Sequence, residues 1–336
     1  MSPRRLWIAI SLVLVALAGA AYWVTQPARQ APASEPGLSW LPAESVLVAS
    51  VHARELRGQA WLTDLVAQAA PAKPEADYQE FVAATGFDYT RDLDRLWLGV
   101  VPTGLDTELV GIAQGQFEQQ RILAYARAQG ARRVSLGGVA AYGVVPAEPR
   151  RQFAFAFLDE DRLVFAETLA GVEKILACGQ QAAPSVASAA GRRAHLERFG
   201  AGLQAWVVGE ELERWLPPRF ERRAEIAAQL ARLAVGARVT PEGIALVAEG
   251  ETHEPAQAER LKLVLETYGL VGYVLLGRRD DPASRALRDA LSAARVEQEG
   301  NLLTLRVRLS PTAVAALLGV PKVRDSSPPA EAPEKK

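Results

Sequence analysis

The chain has 336 residues, 49% of them hydrophobic and 23% charged, with a formal net charge of -1. This is the makeup of an ordinary folded protein, and so small a net charge excludes the broad positive field that gathers nucleic acid. Cys178 is the only cysteine, which excludes an intrachain disulfide and leaves stability to an apolar core.

Residues 6–24, LWIAISLVLVALAGAAYWV, carry no charge and follow directly on Arg4 and Arg5. At ~1.5 Å per residue such a helix covers ~28 Å, close to the ~30 Å hydrocarbon core of a bilayer. Trp7 stands at one end and Tyr22 with Trp23 at the other, where amphipathic rings favour the membrane-water interfaces. Residues 1–25 therefore read as a cytoplasmic stub and a transmembrane signal-anchor of the cytoplasmic (inner) membrane. The positive-inside bias keeps the N-terminus in and places the rest of the chain on the periplasmic or extracytoplasmic side. The alternative is a secretory signal cleaved near Ala20, at Ala18-Gly19-Ala20, which exports the same product without a tether.

Residues 26–40 are expected to form a stalk, since Pro27, Pro32 and Pro36 among small polar residues keep a chain extended. Residues 41–58, LPAESVLVASVHARELRG, predict a strand ending near Val51 and a helix beginning near Ala53. Four times thereafter two strand-like stretches joined by a short turn precede a helical one. They are RLWLGVV with ELVGIAQG, then 117–129; RQFAFAFL with RLVFAE, then 169–178; RLAVGARV with GIALVAEGE, then 254–268; and ARVEQE with LLTLRVRL, then 312–318. Turns this short require antiparallel neighbours, because a parallel pair needs a long crossover.

In the last hairpin, Gly300-Asn301 suits a two-residue primed turn that sets Glu299 opposite Leu302 and Glu297 opposite Thr304. Leu303, Leu305, Val307 and Leu309 then share one face, and Thr304, Arg306 and Arg308 the other. Phe153, Phe155 and Phe157 alternate with alanines, which predicts a central strand lacking a polar face. The fold class is α+β: an antiparallel sheet of hairpin-plus-helix units with helices packed on one face, after an N-terminal transmembrane helix. Two related sub-domains, 41–180 and 181–321, are expected to divide near 179–191. Residues 322–336 lack apolar periodicity and are expected to be a disordered tail.

An LPA-x-S-V opening after a single span and a proline-rich stalk, with a closing LTLRVRLSPTAVAALL, resembles uncharacterised bacterial families of single-span, membrane-anchored exported α+β proteins. The resemblance implies location and fold and brings no catalytic residue with it.

No motif carries chemistry. His52, His195 and His253 are far apart in sequence with no metal-ligand spacing around them. Cys178 ends a predicted helix, where the macrodipole opposes a thiolate. Gly200 to Ala205, GAGLQA, matches a dinucleotide fingerprint, yet a helix precedes it and a strand follows, the reverse of what that loop needs. Asp88, Asp92 and Asp94 suit a capped turn, and Asp159, Glu160 and Asp161 a hairpin turn. Residues 218–233, PRFERRAEIAAQLARL, have Phe220, Ile226, Leu230 and Leu233 at helical spacing beside several arginines and suggest an interaction helix.

No catalytic, cofactor-binding or metal residue is assigned. The expected function is that of a membrane-anchored exported interaction or scaffold protein, not an enzyme, with the membrane as partner through residues 6–24 and a protein partner besides. A ligand- or lipid-binding sensory module is the alternative, and an enzyme with an unrecognised site a lesser one. An exposed apolar patch would favour the first, a deep apolar pocket the second and converging ionisable groups the third.

Overall fold

The computed structural model describes residues 35–69, 76–104, 106–144, 153–212 and 228–320. The expected transmembrane segment, the alternative cleavage region, residues 26–34 of the expected stalk, residues 218–227 of the amphipathic stretch and the expected tail lie outside these.

Twelve strands among the described residues form one antiparallel sheet: β1 (Leu47–Val51), β2 (Leu93–Thr103), β3 (Asp106–Gly115), β4 (Arg132–Leu136), β5 (Val139–Val144), β6 (Phe153–Phe157), β7 (Arg162–Ala166), β8 (Ala205–Glu210), β9 (Leu230–Thr240), β10 (Gly243–Thr252), β11 (Arg295–Glu299) and β12 (Leu302–Leu309). Their order across the sheet is β11-β12-β10-β9-β8-β1-β2-β3-β7-β6-β5-β4. The helices, in chain order, are α1 (Ala53–Arg57), α2 (Ala60–Ala69), α3 (Ala76–Thr85), α4 (Tyr89–Asp92), α5 (Gln119–Ala128), α6 (Leu169–Gly179), α7 (Ala190–Gly200), α8 (Pro255–Leu276), α9 (Pro282–Ala293) and α10 (Pro311–Leu318).

The β1–β8 pair is the seam. Strands on one side of it precede residue 180, and strands on the other follow it. Outward from the seam, β8, β9-β10 and β12-β11 repeat the order of β1, β2-β3 and β7-β6, and the N-terminal half adds β5-β4. Sheet and core are continuous across the seam, with Val48 and Trp97 in one cluster with Trp206 and Ala234.

The four hairpin-plus-helix units are present. The β11–β12 register is Glu299 opposite Leu302 and Glu297 opposite Thr304, turning at Gly300 with φ +58°. A fifth hairpin, β4–β5, was not evident from the sequence. Its turn is Gly137-Gly138, both with positive φ, which a primed turn requires. β4 is mostly exposed, so it has no burial alternation to read, and its exposed Arg132 and Arg133 guard that sheet edge against further pairing. Arg295, Glu297 and Glu299 do the same on β11 at the other edge.

Helices cover both faces, a correction to the expectation of one. Ser50 opposite Trp97 faces one side of the sheet, and Ala49 opposite Leu98 the other. On the first side α6 and α7 place Val172, Ile175, Leu176 and Leu196 against Val48, Trp97 and Trp206. On the second, α2, α9 and α10 place Leu65, Ala290 and Val314 against Ala237, Ile244 and Leu309, while α5 sets Ile122 against Tyr142 and Phe155. The inner strands dictate this: Leu96, Trp97 and Leu98 are buried in succession, so neither face of β2 can meet water. β6, paired on both sides by β5 and β7, likewise lacks a polar face. The outer β12 differs, keeping Arg306 exposed enough to pair with Glu297.

Three further expectations change. Residues 35–40 do not belong to a solvated stalk, because Pro36 opens a 3-10 turn (Pro36–Ser39) that delivers Leu38 to the core at 1% exposure. Gly37 is required there, since a Cβ would lie 2.3 Å from the Trp97 ring. Residues 230–233 begin strand β9 instead of ending a helix: Arg232 and Leu233 pair with Glu210 and Gly209, and ladder pairing overrides helical spacing. Finally, the helix expected over 254–268 runs on to Leu276.

Candidate functional site

Two features answer to the chemistry sought in the sequence: a buried cluster of ionisable groups, and an apolar helix side left in water.

The cluster gathers where the end of β1 meets β2. Strand alternation aims Ser50, Arg95 and Trp97 to one side, His52 follows β1, Glu55 lies on α1, and the 3-10 turn brings Glu35 over them. Trp97 Nε1–H donates to Glu35 Oε2 at 2.7 Å, and Arg95 ion-pairs with the same oxygen at 2.8 Å. Glu35 Oε1 lies 3.5 Å from His52 Nε2, while His52 Nδ1 is 3.1 Å from Glu55. The Arg95 guanidinium stacks 4.7 Å over Trp97 and approaches His52 Nε2 at 2.7 Å. With His52 neutral, Nδ1–H donates to Glu55 and Nε2 accepts from Arg95; once protonated, Nε2–H faces Glu35 instead.

Burial pushes the Glu35 carboxyl up, but the hydrogen bond from His52, the charge of Arg95 and the Trp97 N–H outweigh it and hold the group below its ordinary 4.5. Burial pushes His52 down, but hydrogen bonds to Glu35 and Glu55 outweigh it and raise the imidazole above 6.5. The signs give a stability window. A depressed Glu35 contributes above its unfolded value and is lost as pH falls through its folded one; a raised His52 contributes below its unfolded value and is lost as pH rises through its folded one. The cluster's own contribution, read as the difference in urea midpoint between the native chain and Glu35→Ala across pH, which cancels the separate acid loss from His195, is expected to be largest at about pH 5 to 6.5 and to shrink on both sides. A difference still growing through pH ~8 would contradict this assignment. With Trp97, Arg95 and His52 directed at Glu35, which is only 5% exposed, the cluster clamps residue 35 to the sheet, while Glu35 Oε1 and Arg95 Nε are buried without a hydrogen-bond partner among the described residues.

The other sequence candidates do not converge. His195, on α7, stacks on Phe199 at 6.3 Å and is pushed down to about 4 by burial and then by Arg232 and Arg198. His253 is exposed between β10 and α8. Among the described residues no group of three His, Cys, Asp or Glu side chains is placed to hold a metal ion.

Asp88 caps α4, accepting from the Thr90 N–H at 2.9 Å, Asp94 pairs with Arg54 and Arg57, and Asp159 pairs with Arg162 in the β6–β7 turn. The GAGLQA stretch joins the end of α7 to β8; Gly200 is needed because a Cβ would lie 2.5 Å from Trp206 Nε1. Cys178 is 4% exposed, and burial followed by the charge of Glu44 pushes its thiol up to about 11. An aromatic disulfide reagent at pH ~8 is expected to leave the native thiol untouched and to titrate one equivalent on unfolding. Rapid native reaction would show that α6 opens.

A shallow recess beside α7, lined by Arg198, Phe199, Leu203, Val247, Glu249 and Arg306, holds about 210 Å³. This is smaller than the ~300 Å³ at which small-molecule pockets begin.

The apolar surface lies on α8. With Gln257 Oε1 accepting from the Glu254 N–H at 3.1 Å and Pro255 in its first turn, this helix runs 22 residues, yet only Ala258 and Leu261 are buried. Its inner side meets α9, where Gly272 permits close approach: a Cβ there would lie 3.1 Å from Leu291 Cδ1. On the outer side Leu263 is 66% exposed, Leu270 65%, Val271 49% and Val274 53%. Tyr268 and Tyr273 are also exposed. Residues 263–276, LVLETYGLVGYVLL, contain one charge, Glu266, and that run was the signal available in the sequence. No described helix is long and apolar enough to cross a membrane.

No family model matches the chain, and no curated protein does. Among solved structures, crystal forms I, III and IV of a protein designated TP0453 resemble it at 10% sequence identity, with TM-scores of 0.44, 0.47 and 0.47. Form I is matched over 86% of this chain and 99% of that one, and form III over 85% and 98%. A likeness this remote carries nothing about activity or partners.

Proposed function

We propose that this protein is a membrane-tethered interaction protein without catalytic activity, held in the cytoplasmic membrane by residues 6–24 with its α+β body on the extracytoplasmic side. The observation that carries the reading is the outer side of α8, an exposed stripe of Leu263, Leu270, Val271 and Val274 crossed by Thr267, on a helix whose inner side is already packed. Monomeric soluble proteins scatter exposed apolar residues singly, and a contiguous stripe marks a contact surface. The ionisable groups that do converge, around Glu35, are directed chiefly at one another. The recess beside α7 favours a ligand-binding role less, because of its size.

The test is protease added to intact spheroplasts of a bacterial host expressing the full chain. Degradation of the body, with a membrane-retained fragment containing residues 6–24, is the expected result. A body untouched until the cells are lysed would overturn the topology. A native mass short by about 20 residues, from cleavage at a signal site, would convert the anchored protein into a secreted one.

A further inference from the structure

Residues Leu263, Leu270, Val271 and Val274 stand at i, i+7, i+8 and i+11 on α8, a spacing that puts them in one stripe along the helix. The stripe faces away from α9 and the sheet. At 100° per residue, Tyr268 and Tyr273 fall roughly 110° to either side of its centre. Those are the positions at which a helix lying half-sunk in a bilayer passes the level of the lipid headgroups, where tyrosine rings with a polar tip are favoured.

The chain between the membrane segment and the body is short. Residues 25–34 separate Val24 from Glu35, and ten residues reach at most ~36 Å when fully extended. Glu35 is itself fixed in the sheet by Trp97 and Arg95. A body on such a leash stays within its own length of the lipid, so even weak affinity is amplified by effective concentration.

On these grounds we infer that the outer stripe of α8 lies in the headgroup-acyl boundary of the bilayer that holds residues 6–24, with the helix axis along the membrane plane. The inference rests on the tethered reading above. Charge is not what drives it. Around the stripe Arg260, Lys262, Arg278 and Arg279 are balanced by Glu259, Glu266, Asp280 and Asp281, so the attraction comes from buried apolar area. It is accordingly insensitive to salt and to the anionic lipid fraction, unlike that of a basic amphipathic helix.

The experiment uses the full chain with Cys178→Ala, reconstituted in phosphatidylcholine vesicles. An environment-sensitive thiol fluorophore is attached at Val274→Cys, or at Tyr89→Cys as an exposed control on α4. The expected result is flotation with the vesicles and quenching of the 274 label by nitroxide lipid at least about fivefold stronger than that of the 89 label, unchanged in high salt. Adding Leu270→Glu should move the 274 label into reach of aqueous iodide without releasing the chain from the vesicles.

Three results would overturn the proposal, and they are distinguishable. Failure to float sinks the tethered reading and this inference with it. Flotation with the 274 label as open to iodide as the 89 label sinks the α8 contact alone. A 274 label shielded from iodide and nitroxide lipid alike, with cross-links forming between copies, makes a second copy of the chain the occupant instead.

Discussion

Glu35→Ala is expected to destabilise the fold by about 3 to 5 kcal/mol, the cost of breaking a buried ion pair from one side. Removing the carboxylate leaves the Arg95 charge and the Trp97 N–H, each now directed at Glu35 Oε2, without their acceptor in a site 5% exposed to water. Glu35→Gln separates the contributions, because an amide still accepts from Trp97 but no longer neutralises Arg95. Its cost should be smaller, and it should abolish the acid limb of the stability window and shrink the alkaline limb to what the Glu55 partner of His52 sustains. Urea unfolding of the detergent-solubilised chain, followed by tryptophan fluorescence, measures both variants. A loss under about 1 kcal/mol for Glu35→Ala would show that water replaces the carboxylate and that the cluster is not a clamp.

The second large effect is at the seam. Trp206 is fully buried, opposite Ser50 on β1 and Gly236 on β9, and packs against α7 at Gly200. Trp206→Ala should cost about 3 to 5 kcal/mol through the cavity it leaves. Trp206→Phe should cost far less than the lost volume suggests, because the indole N–H has no hydrogen-bond partner among the described residues and its removal relieves a desolvated donor. Equal losses in the two variants, read from urea midpoints, would mean that the indole N–H is bonded after all. Since the seam joins strands from both halves of the chain, the whole sheet is expected to unfold in one transition.

What the sequence disclosed depended on contrast between the two sides of an element. The β11–β12 hairpin was legible to the residue, because leucines alternate with arginine and threonine and Gly300 fixes the turn. β4 was not, since both its sides are largely wet and no period of two survives. Helices on both faces were missed because alternation was weighed strand by strand, whereas the burial of Leu96, Trp97 and Leu98 in succession needs a cover above and below. Glu35 was hidden by company: amid prolines and alanines an acidic residue looks solvated, and its partners lie 60 and 62 positions away. The α8 surface was the hardest case. A helix apolar all round reads as buried, and composition alone does not say that α9 covers one side and nothing among the described residues the other.

The pairing of β1 with β8 also sets a timetable. β1 emerges early in synthesis, yet one of its edges waits for residues 205–210, which arrive roughly ten to thirty seconds later at ordinary elongation rates. Until then the half-built sheet presents a raw strand of Leu47, Val48, Ala49 and Val51 to any other nascent copy. The newborn chain thus passes through an interval in which sticking to its siblings competes with completing itself, and the yield of native protein should fall as expression is driven harder and recover when translation through β8 is hastened.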